Sequence, residues 1–370
     1  MPYQSIGDYG IIGNMRTAAL VGRNGSIDWL CFPRFDSPSI FGAILDDRKG
    51  GRFRIAPTLR EAVSEQYCLP DTNVLLTRFV SPDGTAEITD FMPLLPLLCS
   101  EDCRMVRRVT VTRGSLKLRM ECKPACNYGR AAHRTEVGTR SATFRPPGLS
   151  LRLASDVPLK QPESAVCAEF TLQAGHTATF VLHGVTQAEA VKHTSVAEGL
   201  SLLDSTIAYW QQWISKCNYR GRWREMVQRS ALTLELLVYE PTGAVVAAPT
   251  CSLPERVSGE RNWDYRFSWM RDSAFAVCAL LRIGLADEAD RFMSWIEYLC
   301  RQAKRGALLQ TLYGIDGSRK VPEELLNHWE GYRGSGPVRV GNAAYKQLQP
   351  SLTAASGKCA GRSDILFIQK

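Results

Sequence analysis

In the first half of the chain, apolar residues form short runs or alternate with polar ones, and turn dipeptides separate the runs. From Ile6 to about Ala190 this period of two predicts antiparallel strands. Asn24-Gly25 lies between TAALVGR and SIDWLCF, and Asp83-Gly84 between VLLTRFV and AEITDF. Both read as hairpin turns, since these dipeptides tolerate the positive φ of a tight turn. Further strands are predicted from Arg104 to Thr112, Leu116 to Cys122, Leu149 to Leu153, Ala165 to Leu172 and Thr177 to Val185. So many short strands without helices between them predict an antiparallel β-sandwich.

After Thr194 the period lengthens. VAEGLSLLDSTIAYWQQWISK sets Leu200, Leu203, Ile207, Trp210 and Ile214 along one helical face. A second stretch, Arg222 to Tyr239, sets Trp223, Met226, Val227, Ala231, Leu234 and Val238 along another, and Pro241-Thr242-Gly243 stops it. Helical pattern returns from Ser273 to Ile283 and from Asp287 to Cys300. This half therefore predicts paired helices joined by long loops, and loops gathered at one end of such pairs carry function.

Composition narrows the classes. The 370 residues suit two domains, and 45% hydrophobic content fills real cores. The net charge of +8 comes from 45 basic residues interleaved with 37 acidic ones, without the basic stripe that nucleic acid requires. The opening MPYQSIGDYG lacks the pattern of a secretion signal, and no window reaches the ~18 apolar residues of a membrane helix. Twelve scattered cysteines suit a reducing cytoplasm. Cys99 with Cys103 and Cys122 with Cys126 have metal-like gaps, but no nearby histidine completes a set, so no metal is expected.

The segment Arg261 to Asp272, RNWDYRFSWMRD, concentrates aromatic and charged residues immediately before a helix. Aromatic faces cover the apolar C–H side of a pyranose, while charged groups bond its hydroxyls. On composition alone the segment fits equally well a half-buried loop in which Arg and Asp pair and the tryptophans fill core. A second stretch, between Leu312 and Gln349, has glycines at 331, 334, 336 and 341 that permit an irregular loop, with Tyr332, Arg333, Arg339 and Asn342 as hydrogen-bonding groups. Its Gly-Ser-Gly is no phosphate loop, because no Gly-Lys-Ser/Thr follows. Glu323-Glu324, after Pro322, reads as a helix start.

Three ordered motifs, IGDYGIIGNMRTAALVGRNGSIDWLCFPRFDSPSIFGAILD at Ile6 to Asp46, RNWDYRFSWMRDSAF at Arg261 to Phe275 and GYRGSGPVRVGNAA at Gly331 to Ala344, resemble bacterial members of glycoside hydrolase family 15, the glucoamylase and trehalase family. The resemblance implies a multidomain β + α chain: an amino-terminal β-sandwich over 1–194, a helical linker over 195–220, and part of an (α/α)6 six-hairpin toroid over 221–349. It implies an inverting exo-acting hydrolase of terminal α-glucosidic bonds that needs no cofactor, and an α-glucoside or trehalose-type sugar as its partner. The alternative is a non-catalytic carbohydrate-binding remnant. Arg271 and Asp272 match the pair that binds glucose hydroxyls, and Trp263, Tyr332 and Arg333 are expected to line the pocket. The family's general acid and general base are expected beyond residue 350. Family-like sequence stops at Gln349, so residues 350–370 read as an aberrant tail, and the chain as truncated within the barrel.

Overall fold

The computed structural model describes residues 3–59, 61–94, 103–162, 164–184, 196–303 and 309–347, with backbone alone for 196–200. Cys99 and the tail at 350–370 lie outside the described residues.

Strands occupy the chain from Tyr9 to Gly184. They are β1 (Tyr9–Gly13), β2 (Ala18–Gly22), β3 (Ser26–Cys31), β4 (Ser39–Phe41), β5 (Arg52–Pro57), β6 (Val63–Cys68), β7 (Leu75–Ser81), β8 (Gly84–Phe91), β9 (Arg104–Lys123), β10 (Arg134–Val137), β11 (Ser141–Arg145), β12 (Leu151–Ser155), β13 (Val166–Gln173) and β14 (Thr177–Gly184). Pairing is antiparallel, in the order β1-β2-β3-β5-β9-β14-β12-β11-β10. The two strands predicted between Arg104 and Cys122 are one, and β9 serves two layers. Its first half pairs with β8 and β14, its second with β5 and β13. The change of layer falls at Gly114, whose φ is +71° and where a Cβ would stand 2.0 Å from the Asp83 carbonyl. Gly114, in the gap between the two predicted strands, is a pivot within one strand.

The Asn24-Gly25 hairpin forms as the sequence predicts, with Gly25 at φ +76°. The second hairpin differs. Ser81 pairs with Gly84, so Pro82-Asp83 makes the turn, and Gly84 belongs to the strand. A Cβ there would lie 2.3 Å from the Arg113 carbonyl, so close approach, not positive φ, requires the glycine. Ile12, Phe53, Ile88, Val109, Leu116, Leu153 and Phe180, drawn from both layers, bury together in one core. Arg107, fully buried, clamps Asp90 through two bonds of 2.7 and 3.1 Å and donates to the Phe53 and Gly25 carbonyls.

Helices follow as α1 (Val196–Ser215), α2 (Arg224–Leu236), α3 (Met270–Arg282) and α4 (Asp287–Gln302). α1 buries Trp210 and Ile214 as its period predicts. α2 is turned from the predicted face: Trp223 and Met226 are 54% and 66% exposed, while Gln228, Ala231, Leu232, Glu235 and Leu236 are buried. The cause is a polar cluster that apolar spacing does not register. Arg291 of α4 donates to Glu235 at 2.9 Å and to Glu288 at 3.2 Å, and Trp213 Nε1 donates to Glu288 at 2.9 Å. The helix expected after Pro322 is absent; Glu324–Leu325 instead pairs as a short strand with Arg339–Val340. The described helices close no six-hairpin ring, and none is long and apolar enough to cross a membrane.

Candidate functional site

Residues 262–269 run extended, with side chains alternating between two faces. Asn262, Asp264, Arg266 and Ser268 are at most 1% exposed, whereas Trp263, Tyr265, Phe267 and Trp269 are half-buried. Backbone bonds hold this edge: Ala247, Ala248 and Ser252 donate to the carbonyls of Phe267, Tyr265 and Trp263 at 2.9–3.0 Å.

The buried face fastens the molecule together. Arg266 grips Asp264 through Nε at 2.9 Å and Nη2 at 2.6 Å, while Nη1 donates to the Ser37 carbonyl at 2.8 Å and Nη2 also donates to the Tyr128 hydroxyl at 3.0 Å. Asp264 also accepts from the Gly341 amide at 2.9 Å, and Asn262 donates to the Ser335 carbonyl at 3.0 Å. Around this pair Trp29, Cys31, Tyr128, Trp329, Tyr332 and Val338 form one apolar cluster, with Trp29 Nε1 donating to the Pro249 carbonyl at 2.8 Å. The three sequence motifs thus meet at one ion pair, which joins the strand layers to the helical half. The buried face carries the Arg–Asp pair of the structural reading, and Trp263 and Trp269 lie half-buried on the other face.

The half-buried face leads to the first turn of α3. There Arg271 Nε donates to Asp272 Oδ1 at 3.0 Å, and the two side chains are 47% and 39% exposed. A carboxylate in this turn is favoured by the helix dipole. The Tyr265 phenol is pushed above its usual pKa by burial first, then by the charges of Glu255 and Asp272, so the Asp272 carboxylate acts on the aromatic row. The Tyr265 and Trp269 rings lie 6.0 Å apart, and Trp269 Nε1 is buried with no hydrogen-bond partner among the described residues. Arg339 sits 4.5 Å from the centroid of the Trp263 ring, held by Glu323 at 3.3 Å and the Glu260 carbonyl at 2.9 Å.

Of the residues singled out in the sequence, Arg271 and Asp272 form a pair, and Trp263 shares the row of Tyr265 and Trp269. Tyr332 and Arg333 stand elsewhere, against the amino-terminal residues. Tyr332 is 2% exposed and donates to the Gln4 carbonyl at 2.8 Å, which commits to packing a residue that the resemblance implies as pocket wall. Arg333 is exposed, at φ +52°, and donates to the Tyr3 carbonyl at 3.4 Å. Gly331 makes this loop possible, since a Cβ at its φ of +79° would lie 2.1 Å from the Ser335 carbonyl. Sequence reasoning missed Tyr265 and Trp269, which the period of two from Asn262 onward would have aligned with Trp263. Among the described residues no group of three His, Cys, Asp or Glu could hold a metal ion.

Residues 3–148 match the profile described as trehalase-like, N-terminal, and residues 221–355 that of glycosyl hydrolases family 15. The chain is 38% identical over 350 residues to a trehalase of Thermoplasma volcanium, covering 94% of this chain and 55% of that protein. It is 35% identical over 387 residues to a trehalase of Mycolicibacterium smegmatis, with coverage of 94% and 55%. Among solved structures, a bacterial glucoamylase crystallised with acarbose superposes with a TM-score of 0.63 at 14% identity, over 86% of this chain and 53% of that one, which shows a shared fold. The chain spans about half the length of the curated relatives it matches. With both profiles matched in order and such identity along most of its residues, the chain belongs to glycosyl hydrolases family 15.

Proposed function

We propose that this chain forms the glucose-binding side of an inverting, exo-acting glycosidase of the glucoamylase or trehalase type, with a terminal α-glucoside or trehalose as substrate. The observation that carries this is the Arg271–Asp272 pair at the start of α3 beside Tyr265 and Trp269, whose Nε1 lacks a described partner. The pair offers charged donors and acceptors to sugar hydroxyls, and the rings offer an apolar face. Helices α2 to α4 are read as the opening part of the (α/α)6 toroid, and α1 as the helical linker before it.

Inverting hydrolysis takes one carboxylic acid and one carboxylate about 6.5–9.5 Å apart, with water between, and no cofactor. The described carboxylates beside this face are already paired: Asp272 with Arg271, Glu323 with Arg339 at 3.3 Å, and Glu255 with Arg261 at 3.6 Å. Glu235, the described carboxyl raised furthest, to about 8, is 0% exposed and cannot touch substrate. The reading therefore assigns sugar binding to residues 3–347 and places the acid and base outside them. The ten described cysteines are all free, in keeping with a cytoplasmic setting.

Titration calorimetry with trehalose, maltose and an iminosugar glucose mimic, run beside a glucose-release assay, tests the proposal. Binding is expected, and Asp272→Ala should weaken it about tenfold or more, the worth of a charged hydrogen bond at about 1.5–3 kcal/mol. Absence of binding to all three sugars overturns the reading. Binding without glucose release supports the non-catalytic alternative, a carbohydrate-binding protein.

A further inference from the structure

The strand that carries the aromatic row passes into α3 within one residue: Trp269 is extended, at φ −87° and ψ 115°, and Met270 begins the helix. At the position before a first turn, Ser, Thr, Asp or Asn ordinarily accepts from a free backbone N–H. Trp269 stands there, and an indole has only a donor. Other bonds hold the entry. The Met270 amide donates to the Thr311 carbonyl at 3.1 Å, and Ser268 Oγ lies 3.1 Å from Ser273 Oγ across the junction.

Ser268 stands one residue before Trp269 and Ser273 four residues after it, the two positions where an apolar pair commonly fixes the angle at which a chain enters a helix. Here the pair is polar, and both residues are at most 2% exposed. Ser273 also interrupts an apolar stripe, since Met270, Val277 and Leu280 share its buried face of α3. Packing alone favours an apolar residue there. The hydroxyl instead donates to the Val245 carbonyl at 3.0 Å, and, having one proton, it accepts from Ser268. Val245 lies two residues before Ala247, which with Ala248 donates to the carbonyls of Phe267 and Tyr265. One buried hydroxyl therefore ties together the segment behind the row, the row's own strand and the first turn of α3, which carries Arg271 and Asp272.

We propose that Ser273 is a positioning residue for sugar binding: through Ser268 and the Val245 carbonyl it fixes the angle between the Trp269 ring and the Arg271–Asp272 pair. The inference rests on the reading of these groups as the sugar site.

Titration calorimetry of the full chain with trehalose tests it in a double-mutant cycle. Ser273→Ala and Ser268→Ala should each weaken binding at least fivefold. In an Asp272→Ala background, Ser273→Ala should cost less than twofold more, because the carboxylate that the serine orients is already gone. Equal losses in the two backgrounds, or a loss below twofold with Asp272 in place, overturn the proposal. A sugar-free readout separates it from the site reading. The Trp269 indole N–H is buried, so its hydrogen exchange, followed by NMR and assigned with Trp269→Phe, reports how the strand enters α3. Ser273→Ala should speed that exchange at least tenfold, while the Trp213 indole, bonded to Glu288 in another cluster, keeps its rate. Equal acceleration of both indoles marks a general loss of stability and overturns the proposal, as does an unchanged Trp269. If the chain binds no sugar, the proposed function falls, and the exchange comparison alone decides what Ser273 holds. Should Ser273→Ala not fold, Ser268→Ala, which leaves the Val245 carbonyl its donor, takes its place in both measurements.

Discussion

Replacing Arg266 by alanine should be among the most destabilising single changes the chain can take. The guanidinium is 1% exposed, bonds Asp264 twice, and satisfies the Ser37 carbonyl and the Tyr128 hydroxyl. Its removal leaves the Asp264 carboxylate buried without a counter-charge, which costs about 3–5 kcal/mol. It also deprives a buried carbonyl of its donor, at about 1–3 kcal/mol, although the two losses overlap. Against a typical domain stability of about 5–15 kcal/mol, the variant should lose a large share of its folding free energy. Urea unfolding followed by tryptophan fluorescence reads this directly, with Arg271→Ala as reference. Arg271 also pairs with an aspartate, but both side chains are well exposed, so its loss should cost about 1 kcal/mol or less. The double variant Arg266→Met with Asp264→Asn removes both charges and should be less destabilised than the sum of its single variants. A cost below about 1 kcal/mol for Arg266→Ala, or strict additivity in the double variant, would refute the view that this ion pair joins the two halves.

Three further outcomes are expected. Burial holds Glu235 protonated up to about pH 8, with the Glu288 charge adding to the effect and Arg291 opposing it. Because this folded-state pKa lies above the unfolded value of 4.5, its contribution to stability is full below about pH 4.5 and is lost as pH rises through 8. Urea melts from pH 5 to 8.5 should show that decline, and Glu235→Gln should flatten it; an unchanged slope refutes the assignment. Gly331→Ala must place a Cβ 2.1 Å from the Ser335 carbonyl at φ +79°, so its melting temperature should fall by several degrees, equivalent to about 1–3 kcal/mol. Trp269→Phe keeps a ring but narrows the aromatic face next to Arg271 and Asp272, and should weaken sugar binding several-fold in calorimetry with little change in urea midpoint.

Local patterning made much of the architecture legible. Short apolar or alternating runs marked β2, β3, β7, β8, β12, β13 and β14, and helical spacing marked the four described helices, because burial on one or both faces leaves its period in the local sequence. The order of the Ile6, Arg261 and Gly331 motifs was enough to recognise the family and to single out Arg271 and Asp272. What depended on distant partners was not legible. β9 reads as two strands in sequence because Gly114 interrupts its pattern, and it is one because Gly84 and the Asp83 carbonyl press against that glycine. α2 turns an unexpected face inward because Glu235 can be buried only where Arg291, 56 residues away, meets it. RNWDYRFSWMRD sits at the same limit. Its composition allows both a sugar face and a structural pair, and tertiary contacts decided which residues are committed to the pair: Asp264 and Arg266 face the junction with Ser37, Tyr128 and Gly341, while Tyr265 and Trp269 are left half-buried on the other face. A sequence records the side chains available, but burial and charge compensation between remote segments determine which of them remain free to meet a ligand.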